Sequence, residues 1–141
     1  MIEDPYRDSM IGPEMRDRVI YFAHPLGATT LEGVQANAAR AKRWYRWIID
    51  NFPNVTPIAP WLLTVEVLDD FNPEHRARGM RMNKTIIVRC DEFWMGGGRI
   101  SNGMGDELKI AEGARKRVFD LTWLGEEPPV EVPDRVRDLV G

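Results

Sequence analysis

The run Cys90–Ala114, CDEFWMGGGRISNGMGDELKIAEGA, constrains the fold more than any other stretch of the chain. Cys90–Met95 reads as a short buried strand and Gly96–Gly105 as a glycine-rich loop. Asp106–Ala114 has helical spacing, with Leu108, Ile110 and Ala111 as its apolar positions. A strand feeding a glycine loop that opens onto a helix presents unpaired backbone N–H groups, which seat an anion or a small polar ligand. Glu107 falls in the expected first turn, where the positive end of the helix favours an ionised carboxylate. A charged carboxylate at a pocket mouth is a candidate nucleophile or base. The plainer reading is an acid that only stabilises the helix start.

The rest of the chain repeats this strand–loop–helix alternation. Arg18–Ala23, RVIYFA, is rich in β-branched and aromatic residues and reads as a first strand, stopped by His24-Pro25-Leu26-Gly27. Thr29 and Thr30 are candidate caps for a helix over Leu31–Asn51, with Val34, Ala38, Ala41, Tyr45 and Ile48 as its apolar face. Val55–Ala59 contains Pro57, which suits an edge strand. Trp61–Asp70 reads either as a helical turn or as a loop over the site. Asn72-Pro73-Glu74 opens a helix that runs to about Val88. The helix after the glycine loop extends over about Gly103–Lys116, and Arg117–Leu121 is a fourth strand. Met1–Asp17 is expected to be a flexible arm. Gly125–Gly141 is expected to be a tail with a short helix over Asp134–Val140.

This order predicts an α/β fold: a single flavodoxin-like or Rossmann-like domain over 18–124, with a parallel sheet of four to five strands and helices on both faces. In such sheets ligands bind beyond the carboxyl ends of the strands. The loops His24–Thr30, Pro60–Asp70 and Gly96–Gly105 meet there. They gather Tyr21, His24, Asp69, Asp70, Arg99, Ser101 and Glu107.

Composition removes several function classes. At 141 residues the chain is one domain's worth, and 19 basic against 22 acidic residues argue against nucleic-acid binding through bulk charge. Cys90 has no cysteine partner, and His24 and His75 are far apart in sequence, so neither a metal site nor a cofactor is expected. No apolar run approaches membrane-spanning length and no signal peptide opens the chain. The expectation is a cytoplasmic protein with no membrane partner and a small-molecule ligand.

Three segments resemble the nucleoside 2-deoxyribosyltransferase-like superfamily, which includes 2'-deoxynucleoside 5'-phosphate N-hydrolases and small phage and bacterial domains. VIYFAHPLG (Val19–Gly27) is similar to the first strand and the loop holding sugar and base. PIAPWL with Leu68-Asp69-Asp70 is similar to the second-strand loop. RCDEFWMGGGRISNGMGDELKIA is similar to the third strand and its S-x-G-x-x-x-E stretch. The resemblance implies that Glu107 attacks or stabilises C1' of the sugar and that Tyr21 orients it. It implies that His24 and Pro25 contact sugar and base, and that Ser101, Gly103 and Gly105 hold the 5' end. It also implies a homo-oligomer. Two positions depart from the pattern. Asn83 stands where the hydrolases carry the acid for the leaving base, so Asp69 or Asp70 would have to supply that proton. Gly27 stands where they carry an arginine for the phosphate, which leaves Arg99 as the nearest cation. Two functions follow as expectations: cleavage or transfer of an N-glycosidic bond in a nucleoside or nucleotide, or a binding module, such as a phage accessory protein, that keeps the pocket without the chemistry.

Overall fold

The structure, a computed structural model, describes residues 17–141. The arm expected over Met1–Asp17 lies outside them apart from Asp17, whose carboxylate accepts a hydrogen bond from Thr56 Oγ1 at 2.9 Å. The described elements are β1 (Arg18–Ala23), α1 (Leu31–Asn51), β2 (Val55–Ile58), α2 (Trp61–Val67), α3 (Pro73–Ile87), β3 (Glu92–Met95), α4 (Asn102–Gly113), β4 (Arg117–Asp120), a 3-10 turn (Thr122–Leu124) and α5 (Asp134–Val140). The strands form one parallel sheet in the order β2-β1-β3-β4, with Tyr21 opposite Phe93 and Ala23 opposite Met95. This is the flavodoxin-like order. The chain steps outward from β1 to β2, then returns across β1 to β3. With right-handed crossovers, that reversal puts α1 on one face and α3 and α4 on the other.

Side-chain alternation along the strands fills both faces. Tyr21 and Phe93 stack at 5.6 Å on the face where Tyr21 reaches Glu107 of α4. Trp94, one residue on from Phe93, turns to the other face. There it continues edge-to-face through Phe52 at 5.3 Å to Trp47 and Trp44 of α1. β2 is the edge strand, and Pro57 is tolerated there because one side of the strand has no ladder partner.

Several local boundaries differ from the sequence reading. Val34, Ala38, Ala41 and Ile48 are buried on α1 as expected, together with Trp44 and Trp47; Tyr45 is only half buried and donates its hydroxyl to Pro57 O at 2.7 Å. β3 begins at Glu92; Asp91 just before it holds Val19 from both sides, its backbone N–H donating to Val19 O at 2.7 Å and its Oδ2 accepting Val19 N–H at 2.8 Å. α4 begins at Asn102, so the glycine loop closes at Ser101 and not at Gly105. The tail belongs to the core: Val132, Val136 and Val140 are 6%, 0% and 2% exposed. The domain therefore continues past Leu124.

Candidate active site

A cavity of about 490 Å³ opens beyond the carboxyl ends of β1 and β3, where the strand order reverses. That is within the ordinary range for a small-molecule site. One wall is the loop after β1. A second runs from α2 into α3. The third is the glycine loop and the first turns of α4.

Glu107 lies in the cavity wall and is 7% exposed. Since α4 starts at Asn102, Glu107 sits in the second turn, beyond the reach of the helix-end charge that the sequence suggested would keep it ionised. Burial dominates instead. It raises the carboxyl from 4.5 to about 7, against the hydrogen bond from Tyr21, with a smaller upward push from Asp106. Tyr21 O–H donates to Glu107 Oε2. The phenol is held well above its usual range, by burial first and the neighbouring carboxylate second, so it stays a donor. Tyr21 is fully buried behind Glu107 and does not line the cavity.

His24 is 4% exposed and lines the cavity. Burial lowers its pKa to about 4, so the ring is neutral at pH 7. Its Nδ1–H donates to Pro25 O at 2.7 Å, and the ring lies nearly parallel to Trp61 at 6.4 Å. Pro25 itself is buried outside the cavity lining and serves by fixing His24. Gly97 packs on the other edge of the imidazole: a Cβ there would lie 2.6 Å from the ring, and its φ of +98° favours glycine independently.

Ser101 and Gly103 line the cavity. Ser101 caps α4, its Oγ accepting Met104 N–H at 3.3 Å while Met104 Sδ accepts Ser101 N–H at 3.4 Å. Asn102 and Gly103 line the cavity and precede the first backbone bond of the helix, so their N–H groups have no intrahelical partner. Gly105 does not fit the expected role: its N–H donates to Ser101 O at 2.9 Å inside the helix, and it is absent from the lining. Gly27, Arg99 and Asn83 do line the cavity.

Of the two aspartates, only Asp70 reaches the site, where Arg76 Nη1 lies 3.7 Å from its Oδ2. Asp69 is exposed and occupied locally. Its Oδ1 accepts Phe71 N–H at 3.0 Å, and its own N–H donates to His75 Nδ1 at 2.8 Å. The sequence places Pro60–Asp70 at the site and a helix after Asn72, and the structure makes these the α2–α3 wall; what the sequence does not single out are the lining residues Trp61, His75, Arg76 and Met80. Trp61 packs in the core at 6% exposure and also lines the cavity, its indole N–H donating to Phe22 O at 2.8 Å. His75, Arg76 and Met80 complete that side.

Among the described residues no group of three or more His, Cys, Asp or Glu side chains is placed to hold a metal ion, and no helix is long and apolar enough to cross a membrane. Arg99 stands in the glycine loop at the open end of α4 and Arg76 on the α3 wall, with Glu107 on the second turn of α4.

Fold and site together define a flavodoxin-like α/β domain with a carboxylate pocket at the topological switch point. The chain belongs to the family described as Domain of unknown function (DUF7768), whose model matches residues 18–120. No curated protein matches the chain.

Proposed function

We propose that the protein cleaves or transfers an N-glycosidic bond of a nucleoside or nucleotide, with Glu107 as nucleophile or as stabiliser of the cationic sugar. The observation that carries the reading is the buried carboxyl of Glu107 on the cavity wall, tied to Tyr21. Breaking the C1'–N bond sends its electron pair to the base and leaves positive charge on the sugar ring. A carboxylate a few ångströms away offsets that charge or captures C1' as an ester, which water or a second base then opens. The working form is the ionised one, so the reaction turns on as pH rises through about 7. Asp70 lines the same cavity, where the departing base leaves, and Arg76 pairs with it there. Arg99 and the free N–H groups of Asn102 and Gly103 receive the 5' end.

Incubation with a panel of nucleosides, nucleotides and NAD should release free base. Glu107→Gln should lower that release by at least about 100-fold, on the scale of losing a positioned proton-transfer or charge-stabilising group. Turnover that survives the substitution would exclude Glu107. A second reading rests on Asn83 and Gly27, which stand where an acid and an arginine would serve hydrolysis. Under it the protein binds a nucleotide without turning it over. Thermal stabilisation by a nucleotide with no free base would favour that reading. A homo-oligomer also belongs to the proposal. Leu63 and Val67 of α2, with Phe71 at the cavity wall, are 67%, 69% and 59% exposed, and a second copy would cover them. Light scattering at working concentration reads this directly.

A further inference from the structure

We propose that Asn83 is a recognition residue that accepts a hydrogen bond from the bound molecule, so that the ligand presents an N–H or O–H donor to the α3 wall. This deepens the nucleoside reading above and rests on it. Asn83 is 8% exposed and lines the cavity. Among the described residues nothing hydrogen-bonds to its buried Oδ1. Buried acceptors in folded proteins are nearly always paired, because an unpaired one loses its hydration without compensation.

Three of the side-chain donors here are committed elsewhere: the Nδ1–H of neutral His24 goes to Pro25 O, the Tyr21 hydroxyl to Glu107, and the Trp61 indole N–H to Phe22 O. None of the remaining cavity donors, among them Arg76, Arg99 and Ser101, hydrogen-bonds to Asn83 Oδ1, so the occupant of the cavity is the partner assigned to it. The terminal amide torsion is soft, so rotation about χ2 brings Oδ1 to a donor that enters beside it. Two groups of a nucleotide carry that chemistry: an exocyclic amine on the base, or a hydroxyl on the sugar. Asn83 would then be a specificity determinant, occupying with an amide the position where proton donation would need an acid.

The test is calorimetric binding to the full chain of adenosine and cytidine 5'-monophosphates, their oxo counterparts inosine and uridine 5'-monophosphates, and the 2'-deoxy and 3'-deoxy forms of the amino nucleotides. Wild type and Asn83→Leu are compared. The expected result is that one donor-bearing ligand binds about tenfold or more tightly than the analogue lacking that donor. Asn83→Leu then removes this advantage while leaving the analogue's affinity unchanged. An amine/oxo difference assigns the base, and a hydroxyl/deoxy difference assigns the sugar. Asn83→Asp, which keeps the acceptor and the shape, should retain the preference. That guards against a Leu variant that fails to fold. An equal effect of Asn83→Leu on every ligand, or no effect on any, overturns the assignment to Asn83 and leaves the nucleoside reading standing. Absence of binding across the whole panel overturns both.

Discussion

At the level of single residues, Glu107 owes its chemistry to where α4 begins. One turn nearer the cap it would be an ordinary helix-start carboxylate; in the second turn, under the sheet and against Tyr21, it holds its proton up to about 7. Tyr21→Phe removes the one hydrogen bond that favours the charged form. The midpoint of the pH–rate profile should move up by about one pH unit or more, with base release at pH 7 falling accordingly. A profile unmoved by the substitution would contradict the coupling. Stability should carry the same signature. The Glu107 carboxyl is raised from 4.5 to about 7, so the folded chain binds more protons there than the unfolded chain. Its contribution is full below about 4.5 and lost as pH rises to about 7, worth about 3 kcal/mol at most. His24 has the opposite sign: its pKa drops from 6.5 to about 4, so stability is lost as pH falls through that window. The two nearly cancel between pH 4.5 and 6.5. Denaturant unfolding of Glu107→Gln should therefore show stability rising with pH across that window, a slope that wild type lacks.

At the level of elements, the helices with clear stop and start signals were legible. Leu31–Asn51 and Asp134–Val140 match the sequence reading at both ends, the first because Thr30 Oγ1 accepts Gly33 N–H at 3.0 Å as a cap should. α4 starts within one residue of the expected Gly103 and ends at Gly113, short of Lys116; what the sequence hid is that Gly103 and Gly105 belong to the helix, because its capping box uses Met104 where glutamate or glutamine would signal a start. The glycine loop itself was legible, but not what each glycine does. Gly97 and Gly98 have φ of +98° and +86°, one against His24 and the other against Glu126 of the tail. Gly97→Ala should cost about 1–3 kcal/mol of stability, from the positive φ and the clash at His24. The same change at Gly103, where a Cβ meets nothing within 4 Å, should cost far less. Equal melting temperatures for the two variants would contradict the packing described for His24.

At the level of the whole molecule, the alternation of strands and helices was enough to give the parallel sheet, its edge strand and the end at which the site lies. The three loops meet because the topology reverses at β1 and β3, not because their sequences announce it. Two parts were legible only in outline. Pro60–Asp70 is placed at the site by the topology, but its short apolar runs fit helix and loop equally, and only in three dimensions does one side of Trp61 prove to line the cavity. The tail looked like an appendage because its prolines break up any period, yet Val132, Val136 and Val140 close the core. A chain ending at Leu124 should lose about 1.5 kcal/mol or more for each of these side chains and melt without a cooperative transition. A truncated chain as stable as the full one would make the tail dispensable. The account as a whole stands on the carboxyl of Glu107 working, ionised, on a sugar in the cavity. The pH dependence of base release from the best substrate of the panel measures this most directly. The account predicts a rate that climbs through a midpoint near 7 and collapses across the whole range in Glu107→Gln. A rate that is flat or falling through neutrality, or one that Glu107→Gln leaves in place, would contradict it.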